Sequence, residues 1–497
     1  METVFEALVL ITDPYTLGVM LMAAVFGLFV GAIPGLTATM ATALLIPFTF
    51  FMDPVPAIAA IVTTVATAIF AGDIPGALLR IPGTPASAAY CDESYAMTKK
   101  GLGERALGIA LVTSVIGGLT GSIVLSASAP FLAEFAIQFS SYEYFWLACL
   151  GLSCAVIIST GSTLKGFVSL FIGLFIATIG IDGTAGHPRF TFGSVELMGG
   201  VSFIPAMIGM FAISEVLRYV ASNRVTIEVP KQPASSVFGG LGAILSRYKL
   251  NIIRGSSIGA VVGILPGAGA DIAAWISYAI SKKRSKEPEK FGSGHPEGLV
   301  DAGSANNASL AGAWVPAIVF GIPGDSITAI VIGVLYMKGM NPGPMVFIER
   351  PELIYAVFIA FFIANLALLP LGFGAIKLSR QILKIPRRVL MPIILIFCMV
   401  GAFAINNTVF GITVMLVLGI IAYIMEENGF PVAPAILGIV LGNMIEDNFM
   451  ASMIKADGEL LGFFSRPIAA TLGVLTITLW LAPLLVMLIG RLKGRAE

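Results

Sequence analysis

The sequence predicts an all-α polytopic membrane protein. It should comprise two inverted-topology repeats, each a re-entrant helical hairpin plus about five spans including a broken helix, with an extra C-terminal span. Three observations predict this. Of 497 residues, 57% are hydrophobic and 12% charged, at a mean hydropathy of +0.94, whereas a globular domain carries roughly 25% charged residues. A Pro-Gly pair interrupts an apolar run twice, in Gly31-Ala-Ile-Pro-Gly35 and Gly263-Ile-Leu-Pro-Gly267. Proline removes a backbone donor and glycine admits positive φ, so each pair stops a helix and frees polar groups that survive at membrane depth only inside protein or a polar cavity. Finally, further breaks follow these tips in the same order in both halves.

In chain order, residues 17–51 form two short arms around Pro34-Gly35, and residues 57–97 form a span broken between Gly72 and Thr84. Spans near 106–125, 144–160, 166–181 and 200–220 complete a first repeat over 1–220, and a polar linker occupies 221–254. The second repeat, 255–462, opens with arms over 255–280 around Pro266-Gly267. It continues with a span over 308–337 broken at Gly321-Ile-Pro-Gly-Asp325, then spans near 353–372, 390–405, 411–425 and 432–446. Residues 463–497 supply the last span and a basic tail. Pro34 pairs with Pro266, Ile81-Pro82-Gly83 with Ile322-Pro323-Gly324, Tyr95 with Tyr336, and Pro205-Ala-Met-Ile-Gly209 with Pro434-Ala-Ile-Leu-Gly438. Short apolar matches arise by chance, but several in one order at nearly constant offset mark a duplication.

Charge sets the expected orientation. With the linker cytoplasmic, 23 of the 29 basic residues fall inside, among them Lys99, Lys100, Lys282, Lys283, Arg284 and Arg388, while Arg80 is left within the bilayer. Asp13 and Asp53 flank the first hairpin and basic residues flank the second, so the two should enter from opposite faces. Arg80 is also the first basic residue of the sequence, so no basic region precedes the first apolar run and a cleavable signal is not expected. The four cysteines lack metal-ligand spacing and read as small apolar residues. His187 and His295 form no cluster, and no Ser-His-Asp, HExxH or P-loop pattern occurs. An enzyme or an ATP-driven pump is therefore not expected.

Inverted repeats with broken helices place binding sites at the bilayer midplane, where half-helix termini and unwound backbone meet ligands. The substrate-binding candidates are Gly35, Thr37 and Thr39 at the first tip, Arg80, Gly83 and Thr84 at the first break, Gly267 and Gly269 at the second tip, Asn306 and Asn307, and Gly324 and Ser326 at the second break. Asp73, Asp271, Asp325 and Thr328 are the ion-binding candidates, offering oxygens to Na⁺ or a carboxyl to a proton. An arginine in the bilayer is costly, and its fork suits a carboxylate; the competing reading is that Arg80 pairs with Asp73. For each aspartate the competing reading is a helix cap, and Asn306-Asn307 read equally as loop residues.

Several motifs together resemble a family. Gly31-Ala-Ile-Pro-Gly35-Leu, Arg80-Ile-Pro-Gly83, Arg189-Phe-Thr-Phe-Gly193, Gly263-Ile-Leu-Pro-Gly-Ala-Gly269, Phe291-Gly-Ser-Gly294 with Glu297-Gly298, Ala305-Asn-Asn-Ala308, Gly321-Ile-Pro-Gly324 and Pro342-Gly-Pro344 resemble the large membrane subunit of the tripartite tricarboxylate transporters over nearly the whole chain. The resemblance implies a multi-pass permease of the bacterial inner membrane. It would work with a small membrane subunit and a periplasmic solute-binding protein, and import carboxylates by Na⁺- or H⁺-coupled symport without a cofactor. The chain departs from the family pattern at Ala71-Gly-Asp73-Ile-Pro75-Gly76, where a Gly-Gly-Ser-Ile-Thr-Ser-like run is usual, at Arg80, where Asn is usual, at Ala302-Gly303, where Pro-Glu is common, and near Met450, where an arginine is usual. These departures argue against citrate itself and leave the class intact. A channel and a symporter acting without a binding protein are the alternatives.

Overall fold

The computed structural model describes residues 2–158, 162–183, 186–221, 236–266, 269–385 and 387–493, so Gly267 and linker residues 222–235 lie outside the described residues. The described chain is helical apart from an antiparallel pair that sets Gly180 opposite Arg189 and Ile181 opposite Pro188. Seven described helices are long and apolar enough to cross a membrane, and five shorter apolar ones accompany them. The fold is thus that of an all-α, multi-pass membrane protein.

The chain divides into two compact units, Met1–Glu134 with Ser202–Ile424 and Phe135–Val201 with Met425–Glu497. Each draws on both predicted halves. In the smaller unit Gly173 lies against the Ala435 carbonyl and Gly438 against the Leu170 carbonyl, the close backbone approach that small residues allow between membrane helices. Arg189 grips Glu446 with both terminal nitrogens, at 2.5 and 3.0 Å.

The larger unit is organised by the two hairpins and the two broken helices. Asp13 caps the first arm, Pro14–Gly31, by accepting from the Tyr15 and Thr16 amides, and Pro14 supplies a preset φ. The chain turns through Gly35 at φ +85°, and Thr37 caps the second arm, Ala38–Phe50, by accepting from the Met40 amide. Lys338 closes the far end of that arm with hydrogen bonds to the Phe50 and Met52 carbonyls, satisfying groups that a helix C-terminus leaves free.

The arms dock on the broken helices in the same way in both halves. Gly27 and Gly31 lie against the Thr64 and Ala68 carbonyls of Pro54–Ala71, while Gly259 and Gly263 on Lys249–Ile264 lie against the Ala305 and Ser309 carbonyls of Pro296–Phe320. The offset from 64 and 68 to 305 and 309 equals that from Pro82 to Pro323. It also holds through the breaks. Arg80 and Gly321 both take the left-handed conformation, at φ +60° and +69°. The Ile81 amide donates to Pro75 O and the Ile322 amide to Pro316 O. Gly83 presses on Gly72, and Gly324 on Ala313.

Several elements differ from the sequence reading, each for a physical reason. Gly72 is helical (φ −61°, ψ −18°), so Pro54–Ala71 and Asp73–Leu79 continue almost as one helix and the real interruption starts at Arg80. Pro75 removes one donor but keeps helical φ. The second broken helix starts at Pro296, not 308, because its polar residues Asp301, Ser304, Asn306, Asn307 and Ser309 are buried in protein and need no lipid-compatible hydropathy. The second hairpin extends over Lys249–Ile264 and Gly269–Arg284, and a helix at Leu241–Arg247 occupies part of the linker. The last-but-one span runs as Val432–Lys455, past the acidic pair Glu446-Asp447 that reads as its end. An additional helix, Glu2–Thr12, precedes the first arm.

Candidate functional site

The first break carries a buried polar cluster in the core of the larger unit. Asp73, at the start of Asp73–Leu79, is 3% exposed. After the interruption the chain returns through Ser87–Ala89 and brings Tyr90 back over the aspartate. The Tyr90 hydroxyl donates to Asp73 Oδ1 at 2.7 Å, and Asn306 Nδ2 donates to that hydroxyl at 3.0 Å. Tyr90 and Asn306 are each 1% exposed. Asp73 Oδ2 is buried with no hydrogen-bond partner among the described residues. This chain of three side chains joins the first broken helix to the second.

Backbone packing makes the site rigid. The Gly83 amide donates to Gly72 O at 3.0 Å, and a Cβ at Gly83 would stand 2.5 Å from Gly72 Cα, so only glycine fits there. Thr84 and Ser87 cap one another reciprocally: the Ser87 amide donates to Thr84 Oγ1 and the Thr84 amide to Ser87 Oγ. At the equivalent place in the second break, Asp325 and Thr328 form a capping box, with Thr328 N–H on Asp325 Oδ1 at 2.7 Å and Asp325 N–H on Thr328 Oγ1 at 2.8 Å. The capping reading thus describes the structure for Asp325 and Thr328. Thr84 is engaged in the same manner.

The remaining candidates fall into three groups. Gly269, at φ +55°, abuts Asp325, and Trp275 in the same arm donates from Nε1 to Pro85 O at 3.1 Å. The second hairpin therefore meets both breaks. Gly35, Thr39 and Ser326 are half-buried, as is Thr37 in its capping role, and Ala38–Phe50 packs on Ser326–Met337. Asn307 turns away from the site and donates to Ser114 O and Asn365 Oδ1, bracketing three helices. Gly267 and the side chain of Asp271 lie outside the described residues.

Arg80 does not pair with Asp73. Its Nε donates to Asp92 Oδ1 at 2.8 Å in an ion pair whose side chains are 62% and 61% exposed. The left-handed cap turns Arg80 away from the buried aspartate, and Tyr90 takes the place that the pairing reading gave it. Both terminal guanidinium nitrogens stay without a hydrogen-bond partner among the described residues.

Two residues escaped the sequence reading. Tyr90 falls inside the 57–97 span that the sequence predicts, although its neighbours Cys91-Asp92-Glu93 interrupt that run with charge. Glu93 is fully buried and accepts from Tyr278 Oη and from the Gly292, Gly294 and His295 amides. The spacing Gly292-Ser-Gly294 was the available signal, since both glycines adopt positive φ and successive amides there form an anion-binding nest.

Comparison with known proteins gives the family. A model of the tripartite tricarboxylate transporter TctA family matches residues 17–437, which include both hairpins and both breaks. The chain is 32% identical over 476 residues to an uncharacterized 52.8 kDa protein in the TAR-I ttuC' 3' region of Agrobacterium vitis, covering 95% of this chain and 93% of that protein. It is 36% identical over 228 residues to an uncharacterized protein in the TAR-II ttuC' 3' region of the same organism, covering 45% of this chain and 94% of that one. No solved structure matches. This chain belongs to the tripartite tricarboxylate transporter TctA family.

Proposed function

We propose that the protein is the permease subunit of an ion-coupled importer of small organic anions in the bacterial inner membrane, fed by a periplasmic solute-binding protein and accompanied by a small membrane subunit. One observation carries the coupling: Asp73 Oδ2 is buried without a partner among the described residues at the junction of the two broken helices. A desolvated carboxylate oxygen is expensive unless a charge or proton meets it. A small cation or a proton at Oδ2 meets that need, and Tyr90 holds the other oxygen in place. Sodium is preferred from the family. Arg80 is the substrate contact in this reading, because its fork is only half used by Asp92 and sits at the mouth of the same break.

The equivalent glycine contacts, left-handed caps and capping pairs of the two halves support a duplicated architecture. Charge placement supports the inverted sense and re-entrant hairpins. Cysteines at Asp53 and Lys286 test this topology: labelling from opposite faces is expected, and labelling of both from one face contradicts it. The function is tested in proteoliposomes. Uptake of a di- or tricarboxylate should require the binding protein and collapse when the Na⁺ and pH gradients are both removed; accumulation that ignores both gradients rules the reading out.

A further inference from the structure

A cavity lies in the larger unit, with no residue of the Asp73 cluster in its lining. It encloses about 580 Å³ and is lined by the end of Cys91–Lys99 and the turn after it, by Leu241–Arg247, and by the Glu287–Pro296 loop. Its size is within the range of small-molecule sites, roughly 300–1,000 Å³. Four cations line it, Lys100, Arg105, Arg247 and Lys290, against the single carboxylate of Glu287. Arg105 Nε and His295 Nε2 are buried without hydrogen-bond partners among the described residues, and the His295 side chain is only 5% exposed. The nearest carboxylates to His295 Nε2 are those of Glu287 at 3.6 Å and Glu297 at 3.8 Å. Glu287 is shared, with Lys290 at 2.5 Å and Arg247 at 3.9 Å. Its hydrogen bond from Lys290 holds that carboxyl below the usual range, so it stays ionised and competes for the cations.

The walls are fixed. Glu93 pins the loop by binding the Gly292, Gly294 and His295 amides, and Lys100 Nζ donates to Ser293 O at 2.7 Å. We propose that this cavity is a binding site for a phosphate-type anion, either a soluble phosphate or the headgroup of an anionic phospholipid. Cations supplied by four separate segments suit an anion with oxygens in several directions, and the excess of positive charge attracts it over a Debye length of roughly 10 Å at 0.1 M salt. The site is independent of the transport reading, since it shares no residue with the Asp73 cluster.

The test uses the full chain purified in detergent and in nanodiscs. Inorganic phosphate and pyrophosphate are titrated into delipidated protein by calorimetry, and nanodiscs of pure phosphatidylcholine are compared with nanodiscs containing phosphatidylglycerol for thermal stability. Saturable pyrophosphate binding identifies a soluble ligand; stabilisation by phosphatidylglycerol alone identifies the headgroup. In either case Arg105→Gln/Arg247→Gln should weaken the effect at least about tenfold, and the exposed Lys100→Gln gives the same direction should the double variant fail to fold. Glu287→Gln should strengthen it, because Lys290 and Arg247 lose their competitor, whereas Arg350→Gln, remote from the cavity, should leave it unchanged. No response to phosphate, pyrophosphate or anionic lipid overturns the proposal, as does equal affinity in the wild type and the Lys100 and Arg105/Arg247 variants.

Discussion

The two breaks share a backbone and differ in chemistry. Each ends a buried helix with a left-handed residue, passes through Ile-Pro-Gly, presses the glycine on the helix just left, and restarts under a side-chain cap. Yet Asp73 stands where the second break has Trp314, and Arg80 stands where it has Gly321. The second break uses the residues that the geometry prefers. The first accepts a left-handed arginine, at a cost of about 1 kcal/mol, and a buried carboxylate. Departures from local preference concentrate where function needs them, so in the proposed reading the chemistry belongs to the first break and the scaffold to both.

The largest expected effect tests the shared scaffold. In Gly83→Ala the new Cβ meets Gly72 backbone at 2.5 Å, while in Gly324→Ala it meets Ala313 at 3.0 Å. Overpacking costs about 1–3 kcal/mol, so Gly83→Ala should lose about 3 kcal/mol and Gly324→Ala about 1 kcal/mol by thermal unfolding in detergent. Equal losses would mean that the first crossing is no tighter than the second.

Arg80→Gly is the sharper probe of the difference, because it converts the first break to the residue type of the second. It relieves the left-handed strain, so stability should hold or rise by up to about 1 kcal/mol. Apparent substrate affinity should fall at least about thirty-fold, the equivalent of roughly 2 kcal/mol for a lost charge-assisted contact. Arg80→Lys should also fail, since an ammonium lacks the fork. Asp92→Asn, which removes only the ion-pair partner, should leave affinity within about threefold, because exposed pairs contribute about 0–1 kcal/mol. Unchanged affinity in Arg80→Gly would reduce Arg80 to a surface residue.

The caps give the smallest effects. Asp325→Ala removes a capping box and should cost about 1–2 kcal/mol, while Thr84→Ala removes a weaker hydroxyl cap and should cost about 0.5–1 kcal/mol. Transport rates at matched stability should stay near wild type for Asp325→Ala. A specific loss of ion dependence there would return Asp325 to the ion site.

The breaks are legible in the sequence because Ile-Pro-Gly and Pro-Gly leave the backbone few alternatives, and their matching contacts because both halves keep the same order of motifs. The polar helix Pro296–Phe320 was harder to bound. Hydropathy scores a span as though lipid surrounds it, and this helix is buried in protein along nearly its whole length. The partners of Asp73 were not legible at all. Tyr90 reaches it across an irregular segment, and Asn306 lies 216 residues further on, so neither contact has a local pattern. Arg80 misled for a related reason: its proximity to Asp73 in sequence suggested a pair that the left-handed cap prevents.

The role of Asp73 is decided by comparing gradient-driven accumulation with substrate exchange in proteoliposomes containing Asp73→Asn. Asparagine keeps the shape and can still accept from Tyr90, but it carries no charge and takes up no proton in this range. The structure of the site leads to one expectation: exchange of labelled for unlabelled substrate persists, while accumulation driven by an imposed Na⁺ or pH gradient is lost. Accumulation at the wild-type level in Asp73→Asn would contradict the assignment of ion coupling to the first break.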